Sequence, residues 1–318
     1  MRSRAVMAFR QLMVPALAVA MGAAVAQDET AVPESPWGPD DQIGAANYLS
    51  AEKVLEAAEL IETGKTYSLG VELNRDFPAY GTRFFDITVV ESVPGGSTVG
   101  PNKLTANDDV LHTWVGIGSQ IDGFGHIGID HVHYNNNHAA EIIDTSGLKR
   151  LGLENLPPIV TRGVLLDMTE HFGKDMLGEG TAFNSAEIKA AAQAQGVEIR
   201  EGDVVLFHTG WLNLVGEDNK RFAQAEPGLG VDGAEYLAQQ GVVAVGADTW
   251  GLEVIPFEEN RGPYEVHQTL LAKHGVYILE NMDTRELAGD GVSEFLFVLG
   301  QPKVKGSVQM IVNPVAIR

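Results

Sequence analysis

Cysteine is absent from the 318 residues. Disulfides, thiolate nucleophiles and iron–sulfur clusters are therefore closed to this chain, and any metal ligand must be an imidazole, a carboxylate or an amide. Basic residues are also few: 22 lysines and arginines stand against 43 aspartates and glutamates, for a net charge of −21. Such a surface repels phosphate backbones and anionic lipid, so nucleic acid and membrane surface are poor partners. No G-x-S-x-G elbow occurs, which removes the usual mount of a serine nucleophile. Beyond the first 26 residues, no apolar run approaches the ~20 residues of a membrane-spanning helix.

The first residues have a character of their own. Arg2, Arg4 and Arg10 appear without an acid, and the apolar run LMVPALAVAMGAAVA then ends in small residues at Ala24, Val25 and Ala26. This order of charge, apolar run and small residues marks residues 1–26 as a secretory signal peptide. A periplasmic or secreted protein is expected, with no membrane span after cleavage. Loss of the three arginines makes the remainder still more acidic. Residues 27–36, QDETAVPESP, are polar and contain proline, and are expected to form a flexible arm. No linker or repeat interrupts residues 37–318, which are read as a single domain.

Within that domain, Val54, Ala57, Ala58 and Ile61 recur at helical spacing, and Gly64 offers a stop. NSAE at 184–187 has the spacing of a capping box before an alanine-rich run. DGAEYLAQQG supplies a third helix, stopped at Gly241. The runs IVTRGVLLDM, DVVLFHTG, VVAVGAD, GVYILENMD, EFLFVLG and QMIVNPVAI read as strands. Several are almost continuously apolar, as expected of strands covered on both faces. Helices alternating with such strands indicate α/β architecture.

The segment GIGSQIDGFGHIGIDHVHYNNNH, residues 116–138, holds four of the nine histidines. GFGHIG within it matches the dinucleotide fingerprint, but that reading needs a helix opening at the third glycine. After Gly128 the chain runs IDHVHYNNNH, a poor helix start, so a phosphate cradle is rejected. Gln120 and Asp122, two apart in an extended chain, project to one side. His126 lies four residues on, past Gly123 and Gly125, where a turn brings its ring back. On spacing alone, a metal site and a polar loop with surface histidines both fit.

The segment resembles the motif H-x-G-T-H-x-D-x-P-x-H of the cyclase family, which includes kynurenine formamidase and isatin hydrolase. GIGSQIDGFGH keeps Gly118, Asp122 and His126, while Gly116 and Gln120 stand at the two histidine positions. SQIDG is similar to a glutamine-bearing branch. The likeness extends from SPWGPDDQIGAANYLS, through GVEIREGDVVLFHTGW and AEPGLGVDGAEYLAQQGVVAVGADTWGLEVIP, to VHQTLLAKHGVYILENMD. It implies a swivelling β/β/α cyclase-type fold. It also implies a set of ligands, Gln120, Asp122, His267 and Glu280, around a divalent metal ion, with His126 as general acid/base. Manganese and zinc, and one ion or two, remain open, because Gly116 and Gln120 alter the inherited set. The implied activity is hydrolysis of an amide, cyclic amide or lactone bond of a small molecule by metal-activated water. A homodimer or larger homo-oligomer is implied as well.

Trp114 is read as an apolar wall for the substrate, with core packing as its other reading, and Tyr134 as a substrate contact because HYNNNH resembles the family's Tyr-Asn-Gly segment. His131, His133 and His138 are candidates for the mouth of the site, with exposed loop histidines as the commoner reading. His112 and His208 are read as structural, and Asp248 and Glu253 stand outside the ligand set. The alternative function is a periplasmic small-molecule or metal-binding protein on a scaffold that has lost catalysis. Retention of His126 favours the enzyme, because a binder needs no general base.

Overall fold

The computed structural model describes residues 31–91 and 93–318. The expected signal peptide, 1–26, and residues 27–30 of the expected arm lie outside the described residues. Residues 32–36 differ from a flexible arm. Val32 is buried against Ile129 and Ala272, and the Ser35 N–H donates to Asn135 Oδ1 at 2.9 Å. A branched apolar side chain and a satisfied backbone donor hold this stretch down. Val32–Arg318 forms one compact unit.

The elements that position the site are helix α1 (Ala51–Ala58), strands β1 (Thr66–Ser68), β2 (Phe85–Glu91), β3 (Asn107–Thr113), β4 (Gln120–Asp122) and β5 (Ile159–Asp167), helix α2 (Ser185–Gln195), β6 (Val204–His208), helix α3 (Val231–Gln239), β7 (Ala244–Ala247), β8 (Tyr277–Glu280), β9 (Glu294–Leu299), β10 (Gln309–Ile311) and β11 (Val315–Ile317). The Ser50 side chain caps α1 by accepting from the Lys53 N–H. That helix ends at Ala58, short of Gly64, and the chain leaves it through tighter turns in which the Leu60 and Ile61 N–H groups donate to Ala57 and Ala58. At α2 both bonds of the Asn184–Glu187 capping box are made.

Among the described residues, the main sheet has nine strands in the order β1-β11-β9-β5-β6-β7-β8-β4-β10. Its centre, β5 to β8, is parallel, and the flanking pairs are antiparallel. Helix α2 joins β5 to β6, α3 joins β6 to β7, and a helical segment over residues 265–273 precedes β8. This is the expected α/β class. The parallel strands are the most apolar: Val204, Val205, Leu206 and Phe207 are fully buried, as are Ala244, Val245 and Ala247. Each large side chain so buried contributes about 1.5–3 kcal/mol.

QMIVNPVAI, expected as one strand, forms two, because Pro314 has no N–H to continue a ladder. The two halves are not neighbours. β10 lies at one end of the strand order and β11 next to the other end. Three residues, 312–314, span the gap between them, a reach of roughly 10–14 Å. The sheet must therefore curl until its ends meet. Two bonds seal the approach: the Val71 N–H donates to Ser119 Oγ at 2.8 Å and the Val312 N–H to Ser119 O at 2.9 Å.

Candidate metal centre and cleft

Strand β4 is gripped on both sides, by β8 and by β10. Register sets Asp122 opposite Ile278 and Gln309, and Gln120 opposite Glu280 and Ile311. Side chains alternate along a strand, so Gln120, Asp122, Glu280 and Gln309 share one face. His267 reaches this face from a short helical turn, Glu265–His267, which continues as a π-helix over Gln268–Lys273.

Asp122, His267 and Glu280 offer ligand atoms that all lie within 4.8 Å of one another, and all three are buried. His267 Nε2 stands 3.3 Å from Glu280 Oε1 and 3.9 Å from Asp122 Oδ2. Asp122 Oδ2 is buried and has no hydrogen-bond partner among the described residues. A bare carboxylate oxygen out of water is costly unless a cation meets it. Two carboxylates and an imidazole are a donor set for zinc or manganese, so the residues present fit a divalent ion.

His126 returns to this group by the turn its glycines allow: its N–H donates to Gly123 O at 3.0 Å, and its Nε2 lies 3.8 Å from Asp122 Oδ2. Burial lowers its pKa below the ordinary histidine value, despite the nearby Asp122, so the ring is neutral near pH 7. A neutral imidazole can accept a proton.

Two participants give no ligand signal in the sequence. Glu253 Oε2 accepts from both the backbone N–H of His267, at 3.2 Å, and its Nδ1, at 2.6 Å. This turns Nε2 toward the carboxylates, the usual support for a metal-binding histidine. Glu253→Gln should weaken metal affinity about 10–100-fold, measured by competition with a chromophoric chelator. Gln309 Nε2 donates to Asp122 Oδ1 at 2.8 Å and lies 3.4 Å from His126 Nε2. A neutral residue 187 positions from its partner becomes relevant only through strand register.

The metal-free cluster binds protons tightly. Burial, followed by the charge of Asp122, pushes Glu280 up to about 7. For His267, burial opposes the charged form, yet hydrogen bonds with Glu253 and Glu280 prevail and hold it up at about 10. Both groups bind protons more strongly folded than unfolded, so stability falls as pH rises. Glu280 contributes to the fall from its ordinary 4.5 to about 7, and His267 from 6.5 to about 10. The melting temperature of chelator-treated protein should therefore drop between about pH 6 and 9. A divalent ion replaces these protons, so the stabilisation it adds should grow over the same range. Melting curves with and without chelator test both signs.

Above the cluster is a cleft of about 120 Å³ lined by Tyr80, Arg83, His126, Trp250, Tyr264 and His267, among others. Tyr80 stacks on Trp250 with centroids 5.3 Å apart and planes 18° from parallel. Tyr264 meets Tyr80 and His267 edge-on.

The structure corrects other expectations. Trp114 is half exposed and does not line the cleft; it follows the β2–β3 hairpin, whose strands project apolar groups outward. Tyr134 is buried elsewhere, with its hydroxyl donating to Asp41 Oδ2 at 2.7 Å and its ring packed on Phe124. Its role is to anchor the segment near Ser35. Gln120 reaches the cluster, but through nitrogen: Nε2 donates to Glu280 Oε2 at 2.6 Å and Asp122 Oδ1 at 3.2 Å. An amide N–H between two carboxylates is not a metal donor. His131 and His138 stand at the surface with rings 6.3 Å apart, and His133 is buried with Nδ1 on Phe124 O. None of the three lines the cleft. His112 is exposed on β3, and His208 is buried against Thr284.

The family model described as putative cyclase matches residues 67–254. The crystal structure of a novel cyclase has a TM-score of 0.80 with this chain at 29% identity, covering 89% of this chain and 96% of that one. Isatin hydrolase A from Ralstonia solanacearum gives a TM-score of 0.62 at 17% identity, covering 85% and 98%. A predicted metal-dependent hydrolase from Bacillus stearothermophilus gives 0.53 at 19%, covering 80% and 98%. At these last two identities the likeness concerns the fold alone. No curated protein sequence matches. His267 and Glu280 lie beyond the span of the family model, so their meeting with Asp122 rests on the distances between their ligand atoms.

Proposed function

Because the chain belongs to the cyclase family, we propose that it is a metal-dependent hydrolase that opens an amide, cyclic amide or lactone bond of a small molecule. One observation carries this reading: the unpartnered Asp122 Oδ2 is aimed at Glu280 and His267, with neutral His126 3.8 Å away at the floor of a cleft. Asp122, Glu280 and His267 would hold the ion. When bound, a divalent ion polarises a carbonyl and acidifies water. His126 takes a proton from the attacking water and returns it to the leaving nitrogen or oxygen. Glu253 keeps His267 Nε2 toward the centre. The Tyr80–Trp250 pair offers a flat apolar wall suited to a small planar ring.

The experiment is metal analysis followed by a panel of lactones, N-formyl compounds and cyclic amides. Turnover abolished by chelator and restored by manganese or zinc supports the hydrolase. Metal or ligand binding without turnover across the panel favours the alternative, a binding protein on a degenerate scaffold.

On a separate observation, we propose a homodimer. Hairpin β2–β3 leaves Val89 65%, Val110 56% and Leu111 53% exposed, and apolar side chains stand on both of its faces. Such concentrated apolar exposure marks a partner surface. Val89→Lys with Leu111→Glu should convert a dimer to a monomer, read by light scattering.

A further inference from the structure

Resting on the metal reading above, the geometry points to a centre that takes one divalent ion, not two, because two glutamine side chains block the second place. A carboxylate that bridges two cations must give one oxygen to each. In this protein Asp122 Oδ1 already accepts from two amides, Gln309 Nε2 at 2.8 Å and Gln120 Nε2 at 3.2 Å. An sp² carboxylate oxygen has two lone pairs in its plane, and two N–H donors occupy them. Glu280 is divided in the same way. Its Oε2 accepts from Gln120 at 2.6 Å, while Oε1 faces His267 Nε2. A single set is left unbonded to an amide: Asp122 Oδ2, Glu280 Oε1 and His267 Nε2.

The end of the Gln309 side chain also lies over position 116. A Cβ built on Gly116 would collide with the Oε1, Cδ and Nε2 atoms of Gln309. The Gln309 side chain thus fills the volume that a side chain at 116 would need. No histidine can be placed at 116 while Gln309 stays where it is, and at 120 an amide stands in place of an aromatic nitrogen. Gln309 also serves the base. The Nε2 that donates to Asp122 also lies 3.4 Å from His126 Nε2. Gln309 is therefore a positioning residue, acting through Asp122 and His126.

The test counts ions. Purified protein is stripped with chelator, loaded with manganese chloride or, separately, zinc chloride, desalted, and analysed for metal per chain. Manganese spectra distinguish an isolated ion from an exchange-coupled pair. The wild type should retain one ion per chain with the spectrum of an isolated manganese. Gln309→Glu, which keeps the shape and replaces the N–H donor with a carboxylate oxygen, should take up a second. Gly116→His with Gln120→His and Gln309→Ala should do so too; Gln309→Glu decides the matter if that triple variant fails to fold. Two ions per wild-type chain overturn the inference and leave the hydrolase reading intact. No ion overturns both. One ion in the wild type and in every folded variant overturns the blocking role of the glutamines.

Discussion

Replacing His126 with asparagine should lower kcat by about 10²–10⁴-fold, the usual contribution of a positioned acid/base, with metal content unchanged. The separation of these two readouts follows from geometry. His126 Nε2 faces Asp122 Oδ2 across 3.8 Å, but its ring is one-fifth exposed and stands at the cleft, outside the fully buried group of ligand atoms. Asparagine cannot relay a proton near pH 7. A drop of this size with retained metal would identify the ring as the base. Equal loss of metal and activity would instead make it a ligand, and the assignment would fail. Unchanged turnover would remove it from the mechanism.

Asp122→Asn should have the larger effect, reducing turnover to that of the chelated protein. The substitution keeps shape and can leave an oxygen for Gln309 and Gln120 to bond. It puts an amide N–H where the unpartnered Oδ2 now points. A cation cannot bind there, and the acidification of water from pKa 15.7 toward ~7 is lost. Stability should move the other way. Asp122 is a main reason, after burial, for the raised pKa of Glu280. Removing that charge lets the metal-free protein melt higher than metal-free wild type, while added ion no longer raises the melting temperature. A variant that still binds the ion and still turns over would dismiss Asp122 as a ligand.

Much of this architecture is legible in the residues themselves. The parallel strands are continuous apolar runs such as VVLF, and helix α2 is announced by its capping box. Resemblance points to Asp122, His267 and Glu280, and the folded chain brings their ligand atoms together. Residues whose role depends on neighbours distant in sequence are not legible. Gln309 acquires its place because β10 pairs with β4. Gln120 reads as an oxygen donor, but whether an amide turns its oxygen or nitrogen inward is decided by the two carboxylates that flank it. Tyr134 has an ordinary phenol whose direction is set by Asp41. The β2–β3 hairpin escapes notice because the alternation of Phe85, Ile87 and Val89 with Asp86 and Thr88 is brief, and Val90 and Val110 set apolar groups on the other face.

The join between β10 and β11 bears on how the molecule is made. By the time Glu280 has been synthesised, all three proposed ligands exist, yet β4 has a neighbour on only one flank. The other flank arrives only with 309–311, well after Glu280, and residues 315–317 then tie one extremity of the sheet to the other. Maturation of the centre must wait for 309–311, so a nascent chain that already holds all three ligands has no finished site until that strand has emerged.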